Sequence, residues 1–430
     1  MTLALFGFAA VLALAFAGLP LGFSMMTIGA SFFALVRGWE PALVMSAQTI
    51  SDLAANDGLS VLPMFILMGT FIYKADLAEE LYDAAYALFG HRRGGLAYAT
   101  ILSSAGFAAI SGSSIATAAT MTKVAMPPMR RHRYADSLAT GCVSSGGTLG
   151  ALIPPSVPLL IYGVVTQQDI GKLFIAGIGP GLLLCIAFMT SVWFTVRRNP
   201  ALGPAGERAS WKGRIEKLSK VWPVLALFLL VVGGLYIGVF TATEAAGIGA
   251  TGAMLFALCR RKLSRKVFVE ALVESGKTTA MIFTIAFGGL IFANYITLSG
   301  LTGSLVDWIQ SLHFPVVGVI LVLVLIYAVL GAVMESLSMM LLTVPVFAAI
   351  MQPMGVDMVW FGVFVVMMIE IGMITPPVGM NAFMVKSMLP DVSLATVFRG
   401  TTPFLISNLV TLALVIAFPG IALGLVKIMG

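Results

Sequence analysis

The sequence predicts an all-α polytopic membrane protein made of two inverted repeats, with two re-entrant helical hairpins and two broken helices. Three observations lead there. Only 10 % of the 430 residues are charged while 59 % are hydrophobic, where soluble domains carry about 25 % charged residues. Apolar runs of a length that crosses a hydrocarbon core of roughly 30 Å recur from one end of the chain to the other. Two polar, Gly/Pro-bearing patterns repeat at one fixed spacing.

The apolar segments fall at 3–17, 19–36, 55–73, 94–128, 137–165, 172–196, 221–239, 242–259, 277–298, 315–351, 358–389 and 403–427. The first run has no basic stretch before it and continues into a second, so a retained span is expected in place of a cleaved signal peptide. The formal net charge of +6 gathers in short connections. Nucleic acid is a weaker partner for these charges than the cytoplasmic lipid face, because basic bias in short loops marks the inside. Arg197 to Lys220, the run Arg260, Arg261, Lys262, the group His91, Arg92, Arg93, and the group Arg130, Arg131, Arg133 are thereby cytoplasmic.

Segment 94–128 then begins and ends on the cytoplasmic side. Two full crossings need about 40 residues, so a re-entrant hairpin is expected, with its tip at Ser111, Gly112, Ser113 and Ser114. Segment 315–351 has a polar interruption at Glu335, Ser336 and Ser338 and both ends outside. The charged stretches 74–92 and 260–274 read as helices along the interface, either arms bracing a scaffold or simple amphipathic linkers. Histidines 91, 132 and 313 belong to boundaries.

Gly150 and Pro154–Pro155 recur as Gly372 and Pro376–Pro377, 222 residues later, and the same step takes Ser113 to Glu335 and Ser114 to Ser336. Residues 1–215 and 216–430 are the two repeats. Segment 137–165 leaves the cytoplasm and 358–389 returns to it, so the repeats are inverted, an arrangement common in secondary transporters whose sites lie where discontinuous helices meet. Proline withholds backbone donors, and carbonyls left unpaired between Gly146 and Pro154, and between Gly372 and Pro376, would be costly in hydrocarbon unless they ligate an ion. The candidate cation ligands are Ser111, Gly112, Ser113, Ser144, Ser145, Gly146 and Thr148 in the first half, and Glu335, Ser338, Gly372 and Thr375 in the second. Small residues also simply allow close helix packing. Glu335 could coordinate Na⁺, carry a proton or cap the second hairpin arm, and Glu370 raises the same question.

Other chemistries find no support. Cys142, Cys185 and Cys259 lack metal-ligand spacing and read as packing residues. No nucleophile and base pair up, and the fragment around Gly276-Lys277-Thr278 lacks the earlier glycine of a phosphate loop. Neither an enzyme nor an organic cofactor is expected.

The Ser111 to Ser114 tip, the Pro-Pro element from Gly150 to Ser156, Thr241 to Glu244, and Gly372 to Gly379 together resemble the large membrane subunit of tripartite ATP-independent periplasmic (TRAP) transporters, the DctM-like permease family. The resemblance implies a multi-pass protein of the bacterial inner membrane, an Na⁺-driven elevator with two or more coupling ions, and hairpins flanking an organic anion such as a C4-dicarboxylate, a sialic acid or another sugar acid. It implies a separate four-helix membrane subunit (DctQ-like) and a periplasmic solute-binding protein (DctP-like). Solute contacts would come from Ser113, Ser114, Pro154, Pro155, Ser336, Pro376, Pro377 and Asn381. A stand-alone Na⁺-coupled organic anion transporter of the same broad type is the alternative.

Overall fold

The computed structural model describes residues 2–311, 315–332 and 334–429; His313 and Phe314 lie outside the described residues. Among the described residues all the regular secondary structure is helical. The first ten helices are α1 (Thr2–Phe16), α2 (Leu21–Arg37), α3 (Trp39–Ala54), α4 (Asp57–Lys74), α5 (Leu77–Phe89), α6 (Gly95–Ser111), α7 (Ser114–Arg131), α8 (Asp136–Leu152), α9 (Val157–Thr166) and α10 (Ile170–Arg198). After a connection follow α11 (Trp211–Ser219), α12 (Trp222–Phe228), α13 (Gly234–Tyr236), α14 (Ala242–Cys259), α15 (Arg265–Leu298) and α16 (Leu301–Ser311). The chain closes with α17 (Val316–Gly331), α18 (Ser336–Met351), α19 (Met358–Ile374), α20 (Met380–Met388), α21 (Leu394–Ala417) and α22 (Gly420–Met429). Among the described residues five helices are long and apolar enough to cross a membrane, or seven when two bent pairs each count as one span.

The 222-residue step carries across these bounds. It takes α2 to α14, α7 to the start of α18, and α8 from 136–152 to α19 at 358–374. The hairpin arms are short: 17 residues in α6 and 16 in α17 make about 25 Å of helix, less than the hydrocarbon thickness. Each pair of arms turns at a capped tip. Ser113 accepts from the Ala116 N–H to start α7, and Glu335 accepts from the Leu337 and Ser338 N–H groups to start α18. An oxygen-bearing side chain one residue before a helix satisfies donors that hydrocarbon would leave orphaned. Of the three roles left open for Glu335, its carboxylate performs the capping one.

All the basic connections meet at one end of the molecule. Arg260 pairs with Glu80 at 2.6 Å, Lys262 with Asp76 at 2.9 Å, and Lys217 with Asp83, while backbone bonds tie Gly94 to Gly203 and Ala135 to Leu202. Arg130 joins Asp136, at the start of α8, to Asp391, just beyond α20. At the other end the Tyr162 hydroxyl of α9 donates to the Met358 carbonyl that opens α19, at 2.7 Å. The two interrupted helices therefore run antiparallel. They form the most protected part of the fold: every residue of α19 and every residue of α8 from Leu138 on is buried. Around them, α2 packs on α15 and α4 on α14, with large apolar side chains such as Leu35, Leu225, Leu255 and Leu258 exposed outward, as lipid contact requires.

The observed elements depart from the sequence reading in four places. The stretch 260–274 is no separate interfacial helix: α15 starts at its Ser264 cap and runs 34 residues into the span without a breaker strong enough to stop it. By contrast 77–89 is its own helix, α5, with its apolar face against α6. Three amphipathic helices, α3, α11 and α16, went unanticipated because none is apolar throughout, and 403–427 divides into α21 and α22 around Pro419. The fourth departure concerns the breaks. Residues 144–148 lie inside regular helix, and the first interruption covers only 153–156; α19 likewise continues through Gly372 to Ile374, and the second covers 375–379. The carbonyls of 146–148 and 372 thus stand in helical turns, and that of Gly372 accepts from Thr375 at 3.2 Å.

Candidate functional site

Each hairpin tip docks on one interruption. The Gly112 carbonyl accepts from Val157 N–H at 3.2 Å, and the Ala332 carbonyl accepts from Val378 N–H at 3.3 Å, so in both halves a tip carbonyl meets a backbone donor one or two residues after a Pro-Pro pair. Both Pro-Pro bonds are cis. Gly112 has φ +61° and a Cβ there would fall 2.2 Å from the Pro155 carbonyl oxygen; only glycine fits such an approach. The glycines of the repeated pattern serve the same docking. A Cβ on Gly150 would meet the Ser113 carbonyl at 2.7 Å, and one on Gly372 would meet Gly331 backbone atoms at 2.7 to 2.9 Å. Packing accounts for Gly146 as well, whose Cβ would lie 2.5 Å from Ser104 Oγ.

Beneath the first tip a polar cluster crosses between the two halves. Asn381, fully buried on α20, donates from Nδ2 to Ser114 Oγ at 2.9 Å and to the Ser144 carbonyl at 3.1 Å, and Ser114 Oγ donates to the Gly147 carbonyl at 3.0 Å. Asn381 belongs to the second repeat by its place in the chain; α20, running parallel to α7 and antiparallel to α8, carries it to the first-half residues. Three oxygens of this cluster, Asn381 Oδ1, Ser144 Oγ and Ser145 Oγ, are buried without a hydrogen-bond partner. Unpaired hard oxygens in a dry interior are costly and are the donor type a Na⁺ or similar cation takes up. Ser111 instead bonds Thr117 Oγ1 at 2.9 Å, and Thr148 bonds the Ser145 carbonyl at 2.8 Å.

The second set is more fully engaged. Thr375 Oγ1 donates to the Ile371 carbonyl at 2.5 Å, and one Glu335 oxygen serves the α18 cap. Ser336 and Ser338 are buried, and among the described residues none of this set carries a buried side-chain oxygen lacking a partner. Glu370, two residues from Gly372, is fully buried with neither oxygen partnered.

Both tips open onto one cavity of about 490 Å³, within the range of small-molecule sites. Ser111 to Ser114 and Glu335 to Leu337 contribute from the two tips, α7 lends one face through Ala116, Ala119, Thr120 and Lys123, and α4 and α15 form the opposite wall. Of the expected solute contacts Ser113, Ser114 and Ser336 line this space. Pro154, Pro155 and Asn381 are buried behind the first tip, and Pro376 and Pro377 are exposed away from the cavity. The sequence reading passed over Lys123 and the facing wall residues Tyr73 and Glu274. A lysine inside an apolar hairpin segment was the available signal.

The family model for the tripartite ATP-independent periplasmic transporter, DctM component, matches residues 8–421. The chain belongs to the DctM family of TRAP transporter large permeases. It is similar to the C4-dicarboxylate TRAP transporter large permease protein DctM of Pseudomonas aeruginosa, 35 % identical over 94 % of each chain. It is also similar to the sialic acid TRAP transporter large permease protein SiaM of Vibrio cholerae, 33 % identical over 95 % of each. The crystal structure of the Alcanivorax borkumensis YdaH transporter superposes with a TM-score of 0.57 over 90 % of both chains at 14 % identity, a likeness of fold alone. This DctM-family permease is thus a multi-pass protein of the inner membrane and a transporter component, not an enzyme.

Proposed function

We propose that this DctM-family permease imports an organic anion by Na⁺-coupled alternating access, as the large subunit of a complex with a four-helix membrane subunit and a periplasmic solute-binding protein. The observation that carries the reading is the pair of capped hairpin tips, 222 residues apart, that face one cavity while each docks on an interrupted helix. Two antiparallel copies of a hairpin and a broken helix are the parts that inverted-repeat transporters move around a mid-membrane site. In an elevator, the buried unit of α6 to α10 and α17 to α21 travels against α4, α14, α2 and α15, whose contacts with each other are extensive. Asn381 Oδ1, Ser144 Oγ and Ser145 Oγ supply side-chain ligands for one Na⁺; Glu335, Ser338 and the turn at Gly372 to Thr375 are the candidates for a second. The solute is a carboxylate of the kinds for which the relatives are named, a C4-dicarboxylate or a sialic acid.

Proteoliposomes containing the permease and its small subunit, supplied with loaded solute-binding protein, are expected to accumulate solute only under an inward Na⁺ gradient. Equal accumulation with K⁺ alone overturns the coupling, and full uptake without either partner favours a stand-alone transporter.

A further inference from the structure

Lys123 is the one basic side chain on the wall of the cavity shared by the hairpin tips, among the described residues. It stands nine residues beyond Ser114 on α7, which places it about 13 Å along the helix from the tip. Between them Ile115, Ala116, Ala119 and Thr120 line the cavity, and beyond Ile115, beside the tip, these side chains are too small to fill it. The ammonium is exposed to the space. It donates to the Tyr73 hydroxyl at 2.9 Å and lies 5.6 Å from the centre of that ring, and it makes no ion pair among the described residues. The two acidic residues on the same wall are both occupied: Glu274 lies 3.6 Å from the Lys74 ammonium, and Glu335 caps α18. The ammonium thus faces the cavity with a phenol beside it and no carboxylate paired to it among the described residues, free to meet an anion.

We propose that Lys123 anchors the transported solute by pairing with its carboxylate or sulfonate, Tyr73 holding the ammonium in place when no anion is there. The assignment rests on the reading of the chain as an organic anion importer and supplies the positive group that reading requires. The solute lies along the Ala116 to Thr120 stripe, its anionic end at Lys123 and its polar remainder toward Ser113 and Ser114. Because α7 belongs to the hairpin and Tyr73 to the facing α4, an arriving anion that takes over the ammonium also frees one of the polar contacts spanning the cavity.

The purified full-length permease is melted in detergent at fixed NaCl while succinate, N-acetylneuraminate and isethionate are titrated separately. At least one of these anions is expected to raise the midpoint of the wild type. Lys123→Gln should require roughly 10- to 100-fold more of that anion for half the effect, as loss of a charged hydrogen bond predicts, whereas Lys123→Arg and Tyr73→Phe retain the response. The proposal is overturned when Lys123→Gln responds within twofold of the wild type, or when none of the three anions stabilises the wild type. Raising NaCl with no anion present tests the coupling ion separately: that response should be the same in wild type and Lys123→Gln, and its absence counts against the Na⁺ reading without touching the anion result.

Discussion

Replacing Gly150 by alanine tests how tightly the first hairpin tip is docked. The added Cβ would sit 2.7 Å from the Ser113 carbonyl oxygen and 2.9 Å from both the Ser113 carbonyl carbon and Thr117 Oγ1, where ordinary contact begins near 3.4 Å. About 0.7 Å must therefore be found. It cannot come from a loose side chain, because the Ser113 carbonyl already accepts from the Thr117 N–H and hydroxyl at 3.0 and 2.7 Å. The tip is pinned again by the bonds from Val157 to Gly112 and from Ser114 to Gly147. Overpacking of this kind costs roughly 1–3 kcal/mol, against a gain of about 1 kcal/mol from replacing a helical glycine. A net destabilisation of about 1 kcal/mol is expected. Gly276→Ala in α15 is the control, since nothing lies within 4 Å of its Cβ and only the helical gain applies. Thermal unfolding of the detergent-purified chain, followed by tryptophan fluorescence, should place Gly150→Ala below the wild type and Gly276→Ala at or above it. A Gly150→Ala protein that melts with the wild type refutes the docked tip.

Asn381→Ala removes two buried hydrogen bonds and should cost about 2 kcal/mol; it should also shrink the Na⁺-induced rise in midpoint, and an undiminished Na⁺ response would exclude Asn381 as a ligand. Glu370→Met exchanges an unpartnered buried carboxyl for an apolar side chain of similar length, and a stabilisation of roughly 1–3 kcal/mol is expected by thermal unfolding; a loss of stability would mean that Glu370 has a partner in the folded protein. The Arg130 guanidinium holds the Asp391 carboxyl below the usual aspartate range. The folded form thus binds this proton more weakly than the unfolded chain, so the pair's stabilisation is complete above about pH 4 and fades as the pH falls through the lower folded value. Asp391→Asn should accordingly melt slightly below the wild type near neutrality, with the gap closing in acid; a gap that persists in acid assigns the effect to something other than the carboxylate's charge.

The hairpins were legible because hydrocarbon imposes a length rule: α6 and α7 are bounded by arginines on both sides and are too short to cross twice. The tip caps were legible only in part: capping was one of three roles open for Glu335, and that Ser113, at the same place in the other repeat, caps α7 came from the structure. The depth of the breaks was not legible. A glycine that opens a helix and one that lets a neighbour approach look alike in sequence, and Gly146, Gly150 and Gly372 are of the second kind.

By itself the sequence determined that the chain is a helical membrane protein, which ends of its segments share the basic face, and where the chain turns back, because composition, charge and span length act locally along the chain. Only the tertiary structure decided that Asn381 from one half completes the polar cluster of the other, and that Lys123 faces Tyr73 across a cavity bounded by both tips. Such pairings bring together residues more than 250 or about 50 positions apart, and no local pattern encodes how antiparallel helices align in depth.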